Sequence, residues 1–143
     1  MIDSFSGPYR FLSNFYPSPF PLIGVTWPTV EHAYQFGKVD PKSIDREKWK
    51  RIFLECITPR EAKKLGQSIE IREDWEHIKV MVMRGLLGLK FNNPELRGRL
   101  LATGSQELVE GNNWNDTFWG VCRGVGQNYL GRLLMDLRDE LRA

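Results

Sequence analysis

The sequence predicts a mainly α protein: a single compact helical domain over residues 1–143, with a Pro-rich N-terminal segment and minor β elements. Three observations predict it. Successive segments carry apolar residues at helical spacing. Helix-start signals (capping residues with Pro at the first helical position) recur ahead of them. No internal repeat, low-complexity run or linker interrupts the 143 residues, a length that suits one domain with a real core.

The elements follow in order. Residues 5–27 interleave Pro8, Pro17, Pro19 and Pro21 with Phe and Tyr, so they are expected to be irregular, with short strands at most. Trp27-Pro28-Thr29 then turns into a helix expected to run through Lys38. Asp45 to Ile57 places Trp49, Ile52, Phe53, Cys56 and Ile57 at helical spacing. Thr58-Pro59-Arg60-Glu61 reads as a capping box with Pro at the first helical position, and Gly66 closes that short helix. Asp74 is placed to cap a long helix whose stripe is Trp75, Ile78, Val82, Leu86 and Leu89. Asn93-Pro94 opens another, stopping near Gly104. The last helix is expected from about Asn128, which is placed to cap it, with Leu130, Leu133, Leu134, Leu137 and Leu141 inward.

Composition narrows the function classes. Hydrophobic residues at 41% and charged ones at 27% are ordinary for a soluble globular protein. A net charge of +2 is too small to announce a polyanion partner, so any nucleic-acid contact is local. The basic run Arg46, Lys48, Lys50, Arg51 is broken by Glu47 and Trp49 and reads as a solvated face. Cys56 and Cys122 give no metal spacing, and Cys56 falls on the apolar side of its helix. No signal segment follows Met1-Ile2-Asp3, and no stretch approaches ~18 apolar residues. The expectation is a soluble, cytoplasmic protein with no membrane partner, no metal and no cofactor.

Chemistry concentrates in two places. Glu31, Gln35 and Lys38 stand at i, i+4 and i+7 after the Trp27-Pro28-Thr29 turn, so one helical stripe would carry a carboxylate, an amide and an amine. They would span roughly 10 Å, about a ribose plus a phosphate. The competing reading of such residues is a solvated face. Near the C-terminus, Asn115-Asp116-Thr117-Phe118-Trp119-Gly120 is followed by Gly124-Val125-Gly126-Gln127-Asn128-Tyr129-Leu130-Gly131. Spaced glycines let backbone N–H groups approach a phosphate, and a helix N-terminus favours anions. A turn-rich connection with a core Trp is the alternative.

These residues do not stand alone. In chain order come Phe11-Leu12-Ser13-Asn14-Phe15, Trp27-Pro28-Thr29 with Glu31-His32 and Gln35, Lys38, Ala62 with Lys64-Leu65-Gly66, and Asp74-Trp75 with Lys79 and Met83. Lys90-Phe91, Leu101 with Thr103, Val109-Glu110, Asp116 with Trp119-Gly120, Gly126 with Asn128, Leu130-Gly131, Leu134-Met135 and Arg138 complete the series. Through them nearly the whole chain resembles the NADAR family, the YbiA-like N-glycosidases. Ala33, Gly37 and the loop Val121-Cys122-Arg123 depart from the family pattern.

The resemblance implies a YbiA-like helical domain that hydrolyses N-glycosidic bonds in phosphorylated or ADP-ribosylated compounds. Breaking such a bond develops positive charge at the anomeric carbon and negative charge on the leaving nitrogen; a carboxylate near the sugar stabilises the first or activates water. Glu31 and Asp116 are the carboxylate candidates because each sits in a family motif. Lys38 admits two roles: an ammonium that clamps a phosphate, or a neutral amine that attacks the anomeric carbon. Expected ligand contacts are Ser13, Asn14 and Phe15 in the proline-rich segment, then Trp27, Gln35, Trp75 and Lys79. From the C-terminal motif come Trp119, Gly120, Gly126 and Asn128. Trp119 would stack on a base or pack the core, Trp75 face the core or line the pocket, and Lys79 reach a phosphate or remain solvated. Arg138 reads as structural.

Two substrate classes compete: ADP-ribose on a nucleobase such as guanine in DNA or RNA, and ribosylated pyrimidine intermediates of riboflavin synthesis. A non-catalytic ADP-ribose-binding module is a third reading, disfavoured by retention of both carboxylates and Lys38. The Gly-rich loop, suited to a pyrophosphate, ranks ADP-ribose removal first, with functional pairing to an ADP-ribosyltransferase as the partner it implies.

Overall fold

Seven consecutive buried residues, Val30–Phe36, form helix α1, and much of residues 14–90 packs around it. The computed structural model describes residues 1–143, whose contacts sort into two units: residues 14–90, and residues 1–13 with 91–143.

In the 14–90 unit, strands β1 (Phe20–Leu22) and β2 (Val25–Trp27) pair antiparallel in the register Phe20↔Trp27 and Leu22↔Val25. The hairpin turns on Ile23 and Gly24, both at positive φ, as two-residue hairpin turns of the primed type require. Thr29 caps α1: its Oγ1 accepts the His32 backbone N–H at 3.1 Å. Packed on α1 are α2 (Arg46–Glu55), α3 (Pro59–Gly66) and α4 (Trp75–Lys90). Trp27 stacks on Phe36 with ring centroids 5.3 Å apart, and Phe36 meets Phe53 edge-on.

Local signals place α3 as expected. Thr58 Oγ1 accepts the Glu61 N–H at 3.1 Å, and Glu61 reaches back to the Ile57 N–H at 2.9 Å. Other expectations need correction. α1 ends at Phe36, so Lys38 lies in the exit turn and not on the helical stripe. Gly37 and Lys38 still donate backward, to Ala33 and Gln35 carbonyls at 3.0 and 3.2 Å. α2 stops at Glu55, which leaves Cys56 outside the helix and Ile57 87% exposed; Phe53 is its one buried residue. The core face of α4 is rotated from Ile78, Val82 and Leu89 to Trp75, Met83, Leu86, Leu87 and Lys90. Met83 and Leu87 take the places expected of Ile78, Val82 and Leu89, and Lys90 is buried beside them with its Nζ 5.9 Å from the centre of the Tyr16 ring. Asp74 precedes α4, but its carboxylate is held by Arg72 at 2.6 Å.

In the other unit, a 3₁₀ turn (Gly7–Leu12) precedes α5 (Pro94–Ala102), the two-residue parallel pair β3 (Gly111–Asn112) and β4 (Val121–Cys122), and α6 (Tyr129–Arg142). Asn93 Oδ1 accepts the Glu95 and Leu96 N–H groups at the start of α5. Ile2 bridges the chain beside Leu108, exchanging backbone bonds of 2.8 Å with Glu107 and Val109. α6 buries Leu130, Leu133, Leu134, Leu137 and Arg138, whereas Leu141 is half-exposed.

Candidate functional site

The burial of α1 decides between the two readings of its polar residues. Glu31 is 7% exposed and Gln35 4%, so neither lies on a solvated face. Buried carboxylates and amides are costly unless partnered. Here they partner each other, Gln35 Nε2 donating to Glu31 Oε1 at 2.9 Å. The Glu31 N–H donates to the Asn14 carbonyl at 3.2 Å, which ties the proline-rich segment to the start of the helix.

His32, between them, is spoken for. Its Nε2 meets the Cys56 carbonyl at 2.9 Å and its Nδ1 the Thr29 hydroxyl at 2.7 Å. A carbonyl only accepts, so Nε2 carries the proton and Nδ1 accepts from Thr29. Burial pushes the imidazole below its ordinary pKa, against the Cys56 hydrogen bond and the Glu61 charge. His32 is a neutral structural brace.

Lys38 sits among charges. Burial pushes its ammonium below the ordinary lysine value; Glu31 opposes that shift, Lys63 and Lys79 add to it, and Glu76 opposes it. Its Nζ lies 6.0 Å from the centre of the Tyr34 ring. Lys79 follows Trp75 by one turn of α4 and pairs with Glu76 at 2.5 Å. Trp75 is buried, packed on Tyr34 with ring centroids 5.1 Å apart. The arrangement sets a buried carboxylate near an amine eased toward its neutral form, with the further ammonium groups of Lys63 and Lys79 acting on that amine.

In the same unit, Asn14 Nδ2 contacts Met83 Sδ at 3.4 Å while its Oδ1 is buried without a hydrogen bond. Phe15 is half-buried. Trp27 corrects an expectation: it is 0% exposed, with its N–H given to the Leu22 carbonyl at 3.2 Å, so it packs the core and offers no surface to a ligand.

The other unit holds the rest. Ser13 is half-buried and closes the 3₁₀ turn through its N–H to Arg10. Asp116 Oδ1 accepts the Phe118 and Trp119 N–H groups at 3.2 and 2.9 Å. Trp119 is half-buried and edge-on to Phe118. Gly120 and Gly126 meet backbone: a β-carbon would stand 2.2 Å from the Glu110 carbonyl oxygen at Gly120, and 2.1 Å from the Gly120 carbonyl oxygen at Gly126. Asn128 does not cap α6 with its side chain. With φ at +53°, it accepts the Glu110 N–H at 3.0 Å and donates to the Leu108 carbonyl at 2.9 Å. An open concavity of about 580 Å³ in this unit, bordered by Asp3, Glu107, Asn112 and Arg123, is lined by none of the expected site residues. No three His, Cys, Asp or Glu side chains are grouped to hold a metal ion.

The sequence matches the NADAR domain over residues 3–142. The chain belongs to the NADAR family. It is 41% identical over 142 residues to N-glycosidase YbiA of Escherichia coli (strain K12), covering 96% of this chain and 85% of that protein. N-glycosidase Npun_R5314 of Nostoc punctiforme is 36% identical, with 94% and 87% covered. The riboflavin biosynthesis protein VVA0006 of Vibrio vulnificus is 39% identical, with 94% of this chain matching 36% of that longer protein. The NMR structure of E. coli YbiA superposes with a TM-score of 0.83 at 38% identity, covering 99% of this chain and 87% of that one. The helical fold is thus the NADAR fold.

Sequence reading missed two charges that act on Lys38 in this NADAR chain, Lys63 and Glu76, and the approach of Gly66 to Gln35. Ala62 and Gly66, buried at i and i+4, mark the face of α3 that approaches α1, and Lys63 flanks it. That small-residue spacing was the available signal.

Proposed function

We propose that this NADAR protein removes ADP-ribose from a nucleobase, guanine in nucleic acid first among them, by hydrolysing the N-glycosidic bond. Family membership and kinship to N-glycosidases make it a hydrolase of glycosidic bonds. The observation that carries the finer reading is Glu31, buried on α1 and held by Gln35, with Lys38 close enough for the two charges to interact. Glu31 stabilises the positive charge that grows at the anomeric carbon and takes a proton from the attacking water. Water oxygen bonds to that carbon, the carbon–nitrogen bond breaks, and the electron pair leaves on the base nitrogen, which is then protonated. Lys38, Lys63 and Lys79 suit a ligand with two phosphates, as ADP-ribose has.

A second reading, cleavage of ribosylated pyrimidine 5′-phosphates, is favoured by the name of the Vibrio vulnificus relative. The deciding experiment incubates the protein with an oligonucleotide carrying ADP-ribosylated guanine and, separately, with a ribosylaminopyrimidine 5′-phosphate. Mass spectrometry reads the products. Free ADP-ribose and restored guanine support the first reading; turnover of the pyrimidine alone replaces it with the second. Under the first reading the functional partner is an ADP-ribosyltransferase that makes the modification this protein removes.

A further inference from the structure

Gln35 has two amide atoms in unlike settings. Nε2 donates to Glu31 Oε1 at 2.9 Å, whereas Oε1 is buried and makes no hydrogen bond. Gly66, the last residue of α3, faces that amide. A β-carbon on Gly66 would stand 1.8 Å from Gln35 Oε1, 2.7 Å from its Cδ and 3.3 Å from its Cβ, and these are its three nearest atoms. The missing side chain of Gly66 is therefore the room that the Gln35 amide occupies.

We propose that Gln35 is a positioning residue: the slot left by Gly66 locks its amide so that Nε2 meets the Glu31 carboxylate. The proposal rests on the reading of Glu31 as the carboxylate of the reaction. A glutamine side chain has several rotatable bonds, and one hydrogen bond alone fixes it poorly. Close approach of α3, with Ala62 and Gly66 buried toward α1, removes the alternatives. The amide nitrogen is given to Glu31, and the amide oxygen is buried against Gly66. The unpartnered oxygen is the desolvation cost of that arrangement. Supporting partners of this kind fix the orientation of reacting groups and matter nearly as much as the groups themselves.

The test compares the parent, Gln35→Met, Gln35→Ala, Gly66→Ala and the double variant Gln35→Ala/Gly66→Ala. Each is assayed on the ADP-ribosylated guanine oligonucleotide and the ribosylaminopyrimidine 5′-phosphate, with melting temperature recorded. Gln35→Met fills the slot without a donor, so kcat is expected to fall by about 10–100-fold, the usual range for a lost supporting partner, with KM little changed. Gly66→Ala is expected to lower kcat and melting temperature in the parent but neither in the Gln35→Ala background, where only the contact with Cβ remains. A KM rise without loss of kcat in Gln35→Met would mean that Gln35 touches ligand and overturn the proposal. Equal cost of Gly66→Ala in both backgrounds would overturn it too. If Gly66→Ala alone does not fold, the double variant must fold as well as Gln35→Ala, or the slot is wrong. Absence of turnover in the parent counts against the functional reading instead, while melting temperatures still report whether residues 35 and 66 are coupled.

Discussion

Asp116 Oδ1 accepts the Trp119 backbone N–H at 2.9 Å, so a carboxylate marked for chemistry also holds its own loop together. Phe118 N–H shares that oxygen at 3.2 Å, and the Asn112 side chain brackets the Asp116 backbone, donating to its carbonyl at 2.8 Å and accepting its N–H at 3.1 Å. The two roles separate by substitution. Asp116→Asn keeps an oxygen acceptor and is expected to melt like the parent, while Asp116→Ala loses about 1 kcal/mol, the usual worth of such a cap. If the charge also serves the reaction, Asp116→Asn loses turnover by ~100-fold or more. Full activity in a stable Asp116→Asn protein would assign the residue to the loop alone.

Gly126 changes the expectation drawn from its motif. Sequence spacing suggests closeness to a phosphate, so that Gly126→Val would harm ADP-ribose binding more than stability. At φ +152°, with a β-carbon destined to lie 2.1 Å from the Gly120 carbonyl oxygen, the residue serves backbone packing. Gly126→Val is now expected to lose at least ~1–3 kcal/mol, the cost of overpacking. Denaturant unfolding against ADP-ribose titration checks it: weakened binding at undiminished stability would restore the phosphate role.

These cases show what the chain discloses by itself. Local chemistry is legible: Thr58 and Asn93 cap the helices they precede because the required acceptor and donor lie within three residues. The burial of α1 is not legible, because Glu31, His32 and Gln35 break any apolar pattern and find their shelter in α2, α3 and α4. Asn128 sits at the start of α6 as its type suggests, yet its side chain serves Glu110 and Leu108, 18 and 20 residues away. Likewise, the spacing of Glu31, Gln35 and Lys38 reveals a cluster, but only packing brings Lys63 toward it.

Glu31→Gln tests the carboxylate with its surroundings preserved. The new amide still offers an oxygen to Gln35 Nε2, and shape is unchanged. Turnover is expected to fall at least ~100-fold while ADP-ribose binding survives. A folded variant with near-normal kcat removes Glu31 from the reaction.

Lys38 should reveal itself in stability. Its folded-state pKa is lowered, first by burial, so below that value the charged form is penalised only when folded. Between the lowered value and the ordinary 10.5, the unfolded chain binds more protons, and stability rises with pH. Lys38→Met removes the penalty. It is expected to be more stable than the parent at pH 7, with the gain shrinking as pH rises through the folded-state value toward 10.5. Urea unfolding of both proteins at pH 7 and pH 10 reads the difference, and no gain at pH 7 refutes it.

The two chemical roles of Lys38 are separated by trapping. As a nucleophile, neutral Nζ bonds to the anomeric carbon, the carbon–nitrogen bond to the base breaks, and the electron pair leaves on the base nitrogen, which takes up a proton. Ring opening then gives an imine, and borohydride delivers hydride to its carbon to leave a stable secondary amine. The lowered pKa favours this course by raising the fraction of neutral amine. Borohydride added during turnover should place the mass of the sugar-containing portion on the peptide that carries Lys38. Lys38→Arg keeps the positive charge but is expected to abolish both adduct and activity, because a guanidinium stays protonated and attacks poorly. A phosphate clamp predicts the reverse pair, no adduct in the parent and substantial activity in the arginine variant. That result would leave the bond-breaking step to Glu31 and a water.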